Sequence, residues 1–409
     1  MTRSRGIGIA AFLVGFHLLL AYGLPPALFA LLAIGLGVVC WRGGVLAGVT
    51  AVLSLAVVTG LYALILNLTG FEDRIYYRPH EKLLSYDYRA DHRRYRPDAA
   101  LGMTMPHGDL QSMTAEKIGV PRAVEFRTDR DGFRNDRGYH GQRYVLLGDS
   151  FVVGVGDSQA DTLDAQLRRD HGLDTYNLGH PGGPADYVAY VRGFRARHGE
   201  DFKLLLFLFE GNDFPDELAD VGRPSRPGFV LFWKRYYALF ADTAVYRVTK
   251  SLTRRIGKRR AIEASEQVRI RELNGRRMAF YAPYIEASER REYRPGPGME
   301  AAIDALAPNL AHIYYVPTKY RVYRPQLDPG VALPDAHWTW LDELCRRKHL
   351  ACTNLTAPLS AASAELVTQG RLTYWPDDSH WNRDGMAVAA RVVAESLGPA
   401  TAPAVSAPP

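Results

Sequence analysis

The chain has 409 residues, 47% of them hydrophobic, and carries 50 basic against 44 acidic residues for a net charge of +6. That is ample apolar material for a large packed core, and the charge balance by itself selects neither nucleic acid nor an acidic substrate. The three cysteines show no zinc-type spacing and there is no glycine-rich phosphate loop of the Walker type, so metal-finger and nucleotide-loop classes are set aside.

Mean hydropathy is slightly negative, −0.18, beside intensely apolar stretches, which points to a membrane segment joined to a polar domain. From Gly6 to Leu68 the single charged residue is Arg42. Leu24-Pro25-Pro26 and Trp41-Arg42-Gly43-Gly44 divide this region into three apolar stretches, two short for a spanning helix and the third long enough. Three membrane passes are expected; a re-entrant pair plus one pass is the alternative. The region is too long for a cleavable signal peptide, and it lacks the polar face of a buried helical hairpin. Arg3, Arg5 and Arg42 put the N-terminus in the cytoplasm and everything after Leu68 outside it, on the periplasmic or extracellular side of the inner (cytoplasmic) membrane.

Residues 71–142 are rich in Tyr, Arg, Asp and Pro and read as an irregular, strand-containing preamble. Beyond them strand and helix alternate, with strands near Tyr144, Thr175, Leu206, Tyr314 and Ala351 and helices near Ala165, Val188, Glu343 and Val388. Alternation of this kind predicts an α/β fold, a parallel sheet with helices on both faces in a three-layer α/β/α sandwich. An insertion covers about 221–306. Its main feature is a stripe of Phe232, Tyr236, Phe240, Ala244, Val248, Leu252 and Ile256 at four-residue spacing, faced by Lys250, Arg254, Arg255, Lys258, Arg259 and Arg260. Such a helix either packs on the domain itself or lies on lipid headgroups. Thr318, Lys319 and Tyr320 follow the fourth strand as satisfied loop residues or substrate contacts. Cys345 and Cys352 flank a helix-to-strand turn, either as a disulfide or as two free thiols. The Ala/Pro-rich tail, 398–409, reads as disordered.

Chemistry concentrates in four places. Val145, Leu146 and Leu147 form a buried strand that stops at Gly148 and delivers Asp149 and Ser150 into a turn, where reactive groups of open α/β sheets gather. YNLGHPGG places Gly179 after a second strand, and LLLFLFEGND places Asn212 after a third. Near the C-terminus YWPDDSHWNRDG sets His380 two residues after Asp378 and three after Asp377. A serine hydroxyl needs a base, and the base needs a carboxylate to fix its tautomer. The amides of Ser150, Gly179 and Asn212 are the kinds of donor that hold an oxyanion.

Serine, glycine, asparagine and histidine in this order resemble the SGNH (GDSL) hydrolase family, from about Arg143 to the helix after Gly385. The resemblance implies the flavodoxin-like sandwich of that family, Ser150 as nucleophile, His380 as base, and Ser150, Gly179 and Asn212 as the oxyanion hole. Asp-x-x-His, the commoner spacing, selects Asp377 as the acid; the DxHWN block, similar to that of alginate O-acetylation proteins, selects Asp378 and is preferred because Trp381-Asn382 completes it. EFRTDRDGFRN resembles a segment that precedes the GDS block in membrane-tethered relatives, with Gly132 and Arg134 bracing the first strand and no catalytic role. The expected function is a membrane-anchored serine esterase acting on O-acyl groups, O-acetyl foremost, of a cell-envelope or exported carbohydrate. An O-acyltransferase served by a membrane acyl-donor protein, and a non-catalytic binding or assembly subunit, are the alternatives. No metal or organic cofactor is required by this chemistry.

Overall fold

The computed structural model describes residues 3–72, 78–87, 92–119, 121–218, 228–262 and 267–398. The tail expected to be disordered lies outside them. The chain divides into two compact units: Met1–Arg93 with Ser225–Ala264, and Arg94–Pro224 with Ser265–Pro409. The preamble is thus shared between the units from Arg94 onward, and the insertion is split between them rather than belonging to one domain.

The first unit is built on helices Arg3–Leu20, Pro26–Arg42 and Gly44–Thr69. Pro26 opens the second at its first turn, where a missing amide hydrogen costs nothing. Gly44, at φ +73°, makes the break before the third. By length and composition the 26-residue third helix is long and apolar enough to cross a membrane; the first two are shorter apolar helices. Glycines let them pack closely, since a Cβ on Gly8 would meet the Cys40 carbonyl at 2.7 Å. Their outer flanks expose Leu31, Ile34, Leu46, Leu53, Val57 and Leu68. The expected single stripe of the insertion is two helices, Gly228–Ala241 and Ala244–Ile262. Tyr236 and Phe240 pack on the His17 ring, and Val245 and Val248 bury against Leu66. The side chains of Arg254, Arg255, Ile256, Lys258, Arg259 and Arg260 lie outside the described residues.

The second unit is an α/β fold around a five-stranded parallel sheet of β1 (Tyr144–Leu147), β2 (Thr175–Asn177), β3 (Lys203–Phe209), β4 (Leu310–Val316) and β5 (Cys352–Asn354), in the order 2-1-3-4-5. Register pairs Leu147 with Leu206 and Phe209 with Val316, which brings the carboxyl ends of β1, β3 and β4 to one edge. Alternate residues serve opposite faces. Leu146, Leu205, Phe207 and Tyr314 bury against helices Leu163–His171 and Arg383–Leu397, whereas Val145, Leu204, Leu206 and Tyr315 bury against Pro184–His198, Pro297–Leu306 and Ala336–Lys348. Because β1 is flanked by β2 on one side and β3 on the other, the strand order reverses there and opens a crevice at its carboxyl end. The two cysteines form a disulfide, with Cα atoms 6.3 Å apart.

Two ribbons complete this unit: Ala100–Met105 with Arg122–Arg127, and Val268–Leu273 with Arg276–Tyr281. The second turns through Asn274 and Gly275, both at positive φ, the usual residues of a two-residue hairpin. Arg134 does not brace β1 as expected. Fully buried, it donates to the carbonyls of Val153, Gly154 and Asp157 at 2.6–3.1 Å and so holds the loop after Ser150.

Candidate active site

Ser150 opens a one-turn helix, Ser150–Val153, directly beyond β1. Asp149 caps it by accepting from Phe151 N at 2.9 Å. Gly148 is required just before, because a Cβ there would meet Val152 Cγ2 at 2.6 Å. From the far end of the chain, Trp375–Trp381 forms a tight loop closed by a bridge between Tyr374 and Trp381, and Trp381 Nε1 donates to Phe151 O at 3.0 Å. This tie brings His380 to the nucleophile turn. His380 Nδ1 donates to Asp378 Oδ1 at 2.6 Å, and its Nε2 accepts from the Ser150 hydroxyl at 2.7 Å. The ring packs on Phe151. Serine, histidine and aspartate thus form one continuous hydrogen-bonded line, partly open at Ser150 and buried at Asp378.

The two candidate acids separate cleanly. Asp378 faces the ring; its Oδ2 accepts from Arg122 at 3.2 Å and from Asp109 N at 3.1 Å. Asp377 points away, into a cradle made by Gly108, Gly119 and Arg122. It accepts from Gly108 N at 2.6 Å and Arg122 at 3.1 Å, and a Cβ on either glycine would collide with it. Asp109 in turn accepts from the Ser379 amide at 2.8 Å and hydroxyl at 2.5 Å.

Lys319 lies beneath the loop, and all its bonding capacity goes to carbonyls: Ala279, Trp375, Pro376 and Asp378, at 2.7–3.2 Å. Burial pulls its ammonium down to about 7 despite Asp377, Asp378 and Asp109 nearby, which act the other way. Thr318 caps the following helix by accepting from Arg321 N. These are structural supports, not open substrate contacts. Asp109 and Arg122 have no local signature in the sequence, because each acts through a loop more than 200 residues away.

Of the expected oxyanion donors, Asn212 is at the nucleophile turn, its Nδ2 donating to Asp149 Oδ2 at 3.2 Å. Ser150 N is at the first helical position, where an amide has no partner inside the helix. Gly179 departs from expectation: its N–H donates to Asn177 Oδ1 at 2.9 Å, so that amide is already engaged. Gly183 comes near the Asn212 turn, since a Cβ there would lie 3.9 Å from Asp213 Oδ1. Burial raises the carboxyl pKa of both Asp149 and Asp213, the latter further because Asp149 is close. Asp109, Asp378 and His380 could each turn one ligand atom toward a cation, within 4.8 Å of one another. The Arg122 guanidinium on Asp378 and the filled hydrogen bonds of both carboxylates suit a proton relay instead.

The sequence matches no model of a known protein family and no curated protein. A solved chain is similar at 12% identity and a TM-score of 0.31, over 63% of this chain and 98% of that one, a likeness too slight to carry an argument.

Proposed function

We propose that the protein is a membrane-anchored serine esterase of SGNH type that acts outside the cytoplasm on O-acyl groups, O-acetyl foremost, of an envelope or exported carbohydrate. The observation that carries this reading is the Ser150–His380–Asp378 line, with 2.7 and 2.6 Å links. His380 Nε2 takes the hydroxyl proton as Ser150 Oγ attacks the ester carbonyl, and Asp378 stabilises the imidazolium. The oxyanion rests on Ser150 N–H and on the Asn212 amide, which leaves Asp149 to reach it. His380 then returns the proton to the departing alcohol, and water repeats the sequence to release the acid. Strand order 2-1-3-4-5 and a nucleophile at the β1 end support the SGNH resemblance. The disulfide supports an oxidising compartment, in keeping with the placement of Arg3, Arg5 and Arg42.

The test is labelling of the full chain by a fluorophosphonate. Wild type is expected to label and Ser150→Ala is not; a well-folded wild type that stays unlabelled favours a binding subunit. Acyl release from an acetylated oligosaccharide in water separates hydrolysis from transfer, since release that requires an added acceptor would assign a transferase.

A further inference from the structure

We infer that helix Gly228–Ala241 is a second membrane contact, lying in the lipid headgroup region with its aromatic edge in the bilayer; this rests on the membrane reading of the three N-terminal helices. The observations come from the first unit alone. Phe229, Phe232, Trp233, Tyr237 and Leu239 are 46–71% exposed, an apolar patch that water does not favour. It is a built surface: Phe229, Phe232, Trp233, Tyr236 and Phe240 form a continuous run of ring contacts.

Its level along the bundle is fixed. The first and third helices run the same way, so their C-terminal ends share one side, where Tyr22 stacks on Tyr62 and accepts a hydrogen bond from Thr59 at 2.9 Å. The insertion is pinned to that same end. Tyr236 and Phe240 sit on His17, Gly23 lies directly against the Tyr246 ring, and Arg247 binds Glu72 at 2.6 Å. An aromatic patch at the end of a spanning helix is at the depth where Trp and Tyr belong in a bilayer. Leu53, Leu61 and Leu68 of the third helix are exposed as well.

Charge selects the same occupant. Gly228–Ala241 carries Lys234 and Arg235 and no acidic residue, and Ala244–Ile262 adds Arg247, Lys250 and five further cations, again with no acid. Such a helix pair complements anionic phospholipid. The basic helix expected to meet headgroups is therefore the partner of the aromatic one, which does the inserting.

The full chain, with Cys40→Ser, is reconstituted in vesicles of phosphatidylethanolamine and phosphatidylglycerol and labelled with an environment-sensitive fluorophore on single cysteines: Phe229→Cys, Phe232→Cys and Trp233→Cys, with Leu53→Cys and Val331→Cys as references. At the three insertion positions, quenching by shallow bromolipids at a depth of about 5–10 Å is expected, with loss of the iodide quenching seen at position 331. Iodide quenching equal to that at 331, while position 53 is quenched by lipid, overturns the proposal and leaves the membrane reading intact. Shielding from both quenchers means that protein covers the patch, and overturns it equally. If position 53 itself escapes lipid quenching, the membrane reading fails and the proposal with it.

Discussion

Asp377 and Asp378 are neighbours in sequence, both fully buried, and bound by the same arginine, yet they face different partners. Only Asp378 touches the imidazole, at 2.6 Å. Asp378→Asn replaces an acceptor that fixes the ring tautomer, and turnover is expected to fall about 10⁴-fold, as loss of the acid does in serine triads generally. Asp377→Asn instead sets an amide donor against the Gly108 or Arg122 donors, an unmet buried contact of about 1–3 kcal/mol. That variant is expected to melt earlier but keep most of its turnover. Steady-state kinetics beside thermal melts of the two variants check this, and equal losses in both would undo the assignment. The sequence offers both spacings; what separates them is the loop that points one carboxylate inward and the other at Gly108, which is decided by contacts 255 and 269 residues away in the chain.

At the scale of elements, the loop that carries His380 is held from a strand that shares no local pattern with it. Arg122, on the first strand residue of Arg122–Arg127, bridges Asp377 and Asp378 with its two terminal nitrogens and stacks on the Trp375 ring at 4.2 Å. A planar fork can do this and an ammonium cannot. Arg122→Ala removes the fork that bridges two adjacent buried carboxylates, which loosens the loop that carries His380. kcat/KM is expected to fall together with the melting temperature, with Arg122→Lys restoring only part of each; an unchanged kcat/KM beside a lowered melting temperature would make Arg122 a stability residue alone. The strands and helices of the sheet were legible, because Val145–Leu147 and Leu204–Phe209 are short apolar runs that end in glycine turns. The Asn274-Gly275 hairpin is written just as plainly, inside the insertion. Arg122 and Asp109 were not legible, since a buried ion pair across a preamble has no periodicity to announce it. Nor was the division of the insertion, whose even four-residue stripe hides the break at Asp242–Thr243.

At the scale of the whole second unit, sequence-distant blocks are fastened through buried charge, and one of those fastenings makes stability depend on pH. Asp157, at the end of the nucleophile loop, accepts from Arg383 N at 2.9 Å, where the last helix begins, and from Trp375 Nε1 at 3.3 Å in the loop that carries His380. Burial raises its carboxyl to about 8, against the pull of those two donors and of Arg122 and Arg134. An unfolded chain releases this proton near pH 4, so between about 4 and 8 the folded state binds more protons than the unfolded one. Stability from this group is complete below pH 4 and falls as pH rises toward 8. Asp157→Asn has no proton to lose: its melting temperature is expected to start below that of wild type in acid, because an amide nitrogen cannot accept as the hydroxyl oxygen of the neutral carboxyl can, and then to fall less steeply between pH 5 and 8. Parallel slopes for the two proteins, measured by calorimetry across that window, would mean that Asp157 is ionised in the fold and that Arg122 and Arg134 outweigh its burial.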